Sequence, residues 1–314
     1  MQYLAALGRH ADWRVALEQV LEQLGAARAR PGTVTRPNLG LLYCTEALRP
    51  ALAQVVAALR VRSGVARWAG ASGRGVMCGD TAVLGEPALA VMLLQLQQRD
   101  FRVFSGAQRL DGWRAGAALV HADAAEADVD ELLDELGARA GSLSGAVSDG
   151  VQLADGVLRG GISGVAFAPR VALTGGWTPG ARGLLPGRAQ ALRAGLAVDM
   201  RQRPCTLHAA AEVRRDLVRL ATEVRDELEQ RRDARVAAGE IARGLGAGPR
   251  GAVYIAGAER GRAYFGSADA ELAQLRRHLG DTALIGLLGR GAVAGGRARL
   301  ASAVLLVFGD DPVE

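Results

Sequence analysis

His121 and Asp123 close an apolar run that begins at Ala117, and strand ends of this kind are where α/β proteins often place acid–base groups. The same pair could equally hydrogen-bond locally and cap the helix that follows. Ser72 lies between Gly70 and Gly73, in a turn of the type that exposes a nucleophile. The G-x-S-x-G elbow, however, needs glycine at 74, where this chain has arginine. No Ser-His-Asp triad can be assembled, so no catalytic residue is assigned. A hydrolase or transferase using Ser72 or the His121–Asp123 pair is kept as an alternative. Gly246-Ala247-Gly248-Pro249-Arg250-Gly251 fits G-x-G-x-x-G literally. The dinucleotide fingerprint follows a strand and opens a helix, whereas here a helix comes first and a strand second. The chain contains no lysine, which excludes a Walker A loop and Schiff-base chemistry. Cys44, Cys78 and Cys205 do not pair with His10, His121, His208 or His278 at metal-ligand spacing. No cofactor and no metal are expected.

All 38 positive charges are arginine, against 33 carboxylates, for a formal net charge of +5. Arginine suits phosphate, but runs such as Arg214-Arg215-Asp216 and Arg231-Arg232-Asp233 interleave both signs, as solvated helix faces do. No nucleic-acid partner is expected. Hydrophobic residues make up 49% of the chain, which excludes disorder. The longest apolar candidate, Pro87 to Gln98, is too short to span a bilayer. Asp12 and Arg14 interrupt any signal-peptide pattern. An odd number of scattered cysteines fits a reducing compartment, so the expected setting is cytoplasmic.

Periodicity supplies the elements. A helix is expected over 11–24, with Trp13, Leu17, Val20, Leu21 and Leu24 on one face, and a second over Glu46 to Val61 with Thr45 as its N-cap. Strands are expected at Leu39 to Tyr43, Val65 to Ala69, Ala88 to Leu96, Phe101 to Phe104, Ala117 to His121, Gly141 to Ser148 and Ile162 to Phe167. An acidic helix should end at Gly137, and Val171 to Thr174 should form a hairpin with Ile162 to Phe167. Past an irregular stretch from Thr178 to Pro204, Val213, Leu217, Leu220, Val224 and Leu228 form the stripe of a long helix. The remainder reads as a strand (Ala252–Ala256), a helix (Asp269–Leu279) and strands at Leu284 to Leu288 and Leu300 to Phe308. Strand–helix alternation defines an α/β fold, with α+β as the alternative. Glycine runs at 70–79, 160–161, 175–176 and 286–296 are read as turns that either bring backbone N–H groups to a polar ligand or simply serve tight strand connections, and their number favours a pocket.

Ordered strings along nearly the whole chain resemble the FIST family. They include His10 to Leu24, Gly70-Ala71-Ser72-Gly73-Arg74-Gly75-Val76, Glu86 to Met92, Leu119-Val120-His121-Ala122-Asp123 and Gly160 to Phe167. Arg215 to Arg225, Arg260-Gly261, Phe265-Gly266 and Gly286 to Gly291 continue the likeness. FIST proteins join a FIST-N and a FIST-C segment and are regarded as cytoplasmic sensory modules for small ligands such as amino acids. The resemblance implies two lobes of mixed sheets packed with helices: residues 1–33 as a leading helix and loop, 34–186 as a FIST-N-like lobe, and 187–314 as a FIST-C-like lobe. It implies a non-enzymatic small-ligand receptor with a signalling-protein partner, and no membrane partner.

The ligand is placed among Ser72, Arg74, Arg182, Arg260, Gly261, Gly289 and Arg290, with Arg182 and Arg260 grasping a carboxylate. This chain also departs from the family pattern. Where relatives carry Thr-Gln-Gly-Cys-x-Pro-x-Gly-Pro it has Thr178-Pro179-Gly180-Ala181-Arg182-Gly183-Leu184-Leu185-Pro186. A Ser-Cys before the Arg-Gly becomes Ala256-Gly257, and a Gly-Glu becomes Gly291-Ala292. A less polar pocket follows, and a scaffold without ligand is the third reading. Oligomeric state is not fixed by the sequence.

Overall fold

The computed structural model describes residues 2–106, 110, 112–148, 150–179, 207–237, 249–300 and 302–309. The fold is α/β and contains three six-stranded sheets among the described residues. The first stretch runs β1 (Leu4–Arg9), α1 (Trp13–Arg28), β2 (Leu39–Thr45), α2 (Leu52–Ser63), β3 (Arg67–Gly73), β4 (Gly75–Cys78), β5 (Thr81–Leu84) and β6 (Ala88–Leu94). The second runs β7 (Phe101–Ser105), β8 (Ala117–Asp123), α3 (Val129–Gly137), β9 (Leu143–Ser148), β10 (Gln152–Ala154), β11 (Gly156–Leu158) and β12 (Ile162–Phe167). The third runs β13 (Leu173–Thr178), α4 (Leu207–Ala237), β14 (Gly251–Gly257), α5 (Ala268–Leu279), β15 (Leu284–Gly289), β16 (Gly291–Ala294), β17 (Arg297–Leu300) and β18 (Ala303–Phe308).

These three stretches are one design repeated. Their sheets have the orders β1-β6-β2-β3-β10-β11, β7-β12-β8-β9-β16-β17 and β13-β18-β14-β15-β4-β5. In each, a single parallel pair joined through a helix (β2 with β3, β8 with β9, β14 with β15) sits among antiparallel neighbours. The outer two strands of every sheet are a hairpin given by another repeat. The first repeat lends β4–β5 to the third sheet, the third lends β16–β17 to the second, and the second lends β10–β11 to the first. The exchange closes into a ring. It also crosses the sequence division between 34–186 and 187–314, because a hairpin from each side completes a sheet of the other.

The inward faces of all three sheets feed one apolar cluster, with Leu41 and Tyr43 from the first, Leu119 and Phe167 from the second, and Ile255 and Phe308 from the third. Phe167 and Phe308 meet edge-to-face, centroids 5.4 Å apart. Helices cover the outside. The stripe of α4 (Val213, Leu217, Leu220, Val224, Leu228) is buried against Leu305 and Val307 of β18, with Tyr254 of β14 in the same cluster. This is the burial the periodicity predicts. Leu133 and Leu136 of α3 cover Ala118 and Val120 in the same manner.

Several expectations are corrected. The helix at 46–61 is broken into a 3-10 turn, Glu46–Ala51, and α2, because Pro50 lacks an N–H and crowds the residue before it. Thr45 does not cap it; its hydroxyl accepts the Ala88 N–H at 2.9 Å and ties β2 to β6. Residues 173–178 pair with β18 in the third sheet and not with β12, whose neighbours are β7 and β8. The glycine run at 70–75 is not a loop, since β3 continues to Gly73 and β4 starts at Gly75.

Candidate functional site

Three heptads occupy corresponding positions in the repeats: Gly70-Ala71-Ser72-Gly73-Arg74-Gly75-Val76, Gly145-Ala146-Val147-Ser148-Asp149-Gly150-Val151 and Gly286-Leu287-Leu288-Gly289-Arg290-Gly291-Ala292. Each closes the second strand of a parallel pair and opens the hairpin given away. Its first glycine lies beside the partner strand's backbone. A Cβ at Gly70 would stand 1.8 Å from the Leu42 carbonyl oxygen, one at Gly145 1.7 Å from that of Val120, and one at Gly286 2.1 Å from that of Tyr254. Such separations are far inside contact distance, so only glycine fits. Gly70, Gly145 and Gly286 serve strand packing, and of the two readings open for the runs at 70–79 and 286–296 the structural one applies to their first glycine.

The heptads meet at one junction, where the carboxyl ends of the parallel pairs converge. The Arg74 N–H donates to Leu288 O at 2.9 Å, and the Arg290 N–H to Val147 O at 3.1 Å. The Ser72 N–H donates to Val151 O at 3.0 Å. The structure thus brings Ser72, Arg74, Gly289 and Arg290 together. Ser72 itself is wholly buried, and its hydroxyl faces Val151 O at 3.4 Å, so it is a strand residue and not an exposed donor. The Arg74 side chain is half-exposed and pairs with Glu259 at 3.2 Å, while Arg290 is half-buried beside it. Arg182 lies outside the described residues.

Glu259 leads into Arg260 and the π-helical turn Gly261–Phe265. Arg260 is buried, with 1% of its surface exposed. Its Nε donates to Glu271 Oε1 at 2.5 Å, its terminal nitrogens to Thr178 Oγ1 at 2.8 Å and Pro179 O at 3.2 Å. Tyr254 OH donates to the same Glu271 oxygen at 2.6 Å. Burial and the neighbouring Glu271 carboxylate push the Tyr254 phenol well above its ordinary pKa, so it remains a donor. Gly261 is packed against the start of α5, where a Cβ would stand 2.6 Å from Ala268 Cα. Arg260 therefore already holds a carboxylate, one from the chain itself, and it anchors the last residues of β13 at the junction.

The acid–base candidates separate. Asp123 accepts the Ala125 and Gly160 N–H groups, both at 2.9 Å, and Glu126 accepts the Gly161 N–H at 2.8 Å. Carboxylates of the chain occupy the place the Gly160–Gly161 turn could have offered an anion. His121 is fully buried, with Nε2 3.2 Å from Tyr43 OH and Nδ1 without a partner among the described residues. A second polar tie crosses between the same two sheets, where Ser163 Oγ donates to Gln152 Oε1 at 2.6 Å. Burial lowers the His121 pKa to about 3 and raises that of the Cys44 thiol to about 12. The imidazole is neutral in the folded chain and the thiol protonated. Among the described residues no group of three His, Cys, Asp or Glu side chains could hold a metal, and no helix is long and apolar enough to cross a membrane.

The buried imidazole has a measurable consequence. Unfolded, His121 titrates near 6.5; folded, near 3. Between these values the unfolded chain binds the extra proton, so stability falls as pH drops. From pH 7 to pH 5 this residue alone should account for a loss of about 2 kcal/mol. Urea titrations at both pH values should show that difference shrinking in His121→Gln; an unchanged pH dependence would refute the assignment.

The described residues form a closed ring of α/β repeats whose polar groups converge where the parallel strands end. Residues 38–185, from just before β2 to beyond β13, match the FIST N domain model. That segment is similar to FIST domains, a sensory, signal-transduction family. No curated protein matches it in sequence. The signal that sequence reading missed was internal: the three heptads align without a gap and mark both the repeats and their meeting point.

Proposed function

We propose that this protein is a cytoplasmic, non-enzymatic sensor that binds a small carboxylate of amino-acid type at the heptad junction and passes its state to a signalling protein. The observation that carries the reading is the placement of Arg74 and Arg290 in the junction. The two stand at the same heptad position, in turns directly bonded to a neighbouring repeat, at the carboxyl ends of parallel strands. That is where open α/β sheets bind ligands, and guanidinium groups grip carboxylates bidentately. Glu259 beside Arg74 could take the ligand's amine. Arg260 and Gly261 belong to the site as supports, since Glu271 fills the Arg260 fork. The likeness of residues 187–314 to FIST-C rests on their sequence strings. Cys44 and Cys78 are unbridged thiols, the form a reducing compartment maintains.

The test is thermal-shift screening of the wild type, Arg74→Ala and Arg290→Ala against the standard amino acids and their keto and hydroxy analogues. A ligand at about a hundred times its Kd should stabilise the wild type by about 2.7 kcal/mol, and each variant should lose most of that gain. The reading fails if no carboxylate stabilises the wild type, or if both variants respond as it does.

A further inference from the structure

At the opposite end of β3 from the junction lies a pocket of about 530 Å³, lined by Arg67, Gln98, Arg99, Phe101, Arg102, Val103 and Trp113. Six strand steps separate Arg67 from Gly73, about 20 Å, so this is a different place on the molecule. We propose that it is a second binding site, for a small organic anion with a planar ring.

Four observations carry the assignment. The volume falls within the range of small-molecule sites, about 300–1,000 Å³. Among the described residues three guanidinium groups line it, one of them (Arg67) paired with Asp155, and no carboxylate does, so the local field favours an anion. Two neighbouring acids are themselves paired, Asp155 with one of these three guanidinium groups. Asp155 pairs with Arg67 at 2.9 Å and lies near Arg60, and the buried Asp100 is held by Arg170. Finally, Arg102 is exposed on edge strand β7, with its guanidinium carbon 5.2 Å from the Trp113 ring centroid. That stack aligns a flat cation on a flat ring. A planar ligand would extend the Arg102–Trp113 stack, while its anionic group meets Arg67, Arg99 and Arg102. Arg102 breaks the burial of β7, where its four neighbours in Phe101–Ser105 are buried.

The anionic group could be a carboxylate or a phosphate, and two probes separate these. Indole-3-acetate carries a ring with a carboxylate; adenosine 5′-monophosphate carries a ring with a phosphate. Indole and acetate are the half-molecule controls. By calorimetry and Trp fluorescence at low salt, at least one probe should bind below about 1 mM, with both halves weaker. Arg102→Ala and Trp113→Ala should each weaken the bound probe about tenfold or more, while Trp113→Phe keeps most of the affinity. The melting temperature of Arg102→Ala should stay unchanged, because the side chain packs on the surface; if it falls, Arg102→Gln supplies the same comparison without loss of the stem. Failure of both probes to bind below about 1 mM overturns the proposal, as does binding indifferent to Arg102. Tighter binding of a single-stranded oligonucleotide than of the mononucleotide also overturns it, since that marks a nucleic-acid surface. Arg74→Ala should leave this site unaffected, so its failure and that of the junction are read independently.

Discussion

Arg260→Met is expected to lose about 3–5 kcal/mol of folding stability, the cost of stranding a buried charge. The sequence marked Arg260 as a ligand-gripping side chain. Its surroundings say otherwise. Glu271, 1% exposed, accepts from both Arg260 and Tyr254, and without the guanidinium its carboxylate would be left among Leu272, Leu275, Tyr264 and Phe265. The same truncation also frees Thr178 and Pro179 from their anchor. Urea unfolding of Arg260→Met, Glu271→Leu and the double variant measures this directly. The double variant should recover most of the loss, because an apolar pair of similar volume can replace a buried ion pair. A single-variant loss below about 1 kcal/mol, the scale of an exposed pair, would show that the network is not structural.

Gly70→Ala, Gly145→Ala and Gly286→Ala should be more damaging still. Ordinary overpacking costs about 1–3 kcal/mol, relieved by side chains that shift. Here the obstacle is a backbone oxygen of a paired central strand, which cannot move without breaking its ladder. Each variant is expected to exceed that range and to reduce the yield of folded protein sharply. Gly156→Ala is the matching control, since it is exposed on β11 with nothing within 4 Å of its added methyl. Circular dichroism and thermal melts of the four proteins decide the matter. Near-native melting of the three heptad variants would mean that the strands can part at these points.

Where the chain writes structure as local periodicity, the sequence was readable. The stripe of α4 and the strands β2, β6, β8 and β14 carry their burial in residue type. Leu4–Arg9 went unread as a strand because two small alanines and a glycine give it no contrast, and its identity comes from pairing with β6 eighty-odd residues away. Glycines at 70, 145 and 286 signal freedom in a sequence but close approach in a fold, and only the neighbouring carbonyls distinguish the two. Arg260 was singled out as a grip for a ligand carboxylate, yet its partners Glu271 and Thr178 lie on elements whose meeting no spacing rule predicts. Arg102 and Trp113 were missed because irregular chain separates them. The outward-facing position of Arg102 between buried Phe101 and Val103 was the readable half of that site.

The ring of lent hairpins also sets an order on biogenesis. As the chain emerges from the ribosome, β4 and β5 must wait for β15, about two hundred residues later, before they find their sheet. The first sheet, in turn, is incomplete until β10 and β11 have been made. No repeat can close alone, so the native state should form only after β18 has been made, at the slow rates of topologies dominated by distant contacts. Until then the nascent protein carries unpaired strand edges, and the family-matched segment 38–185 expressed alone would keep such edges permanently.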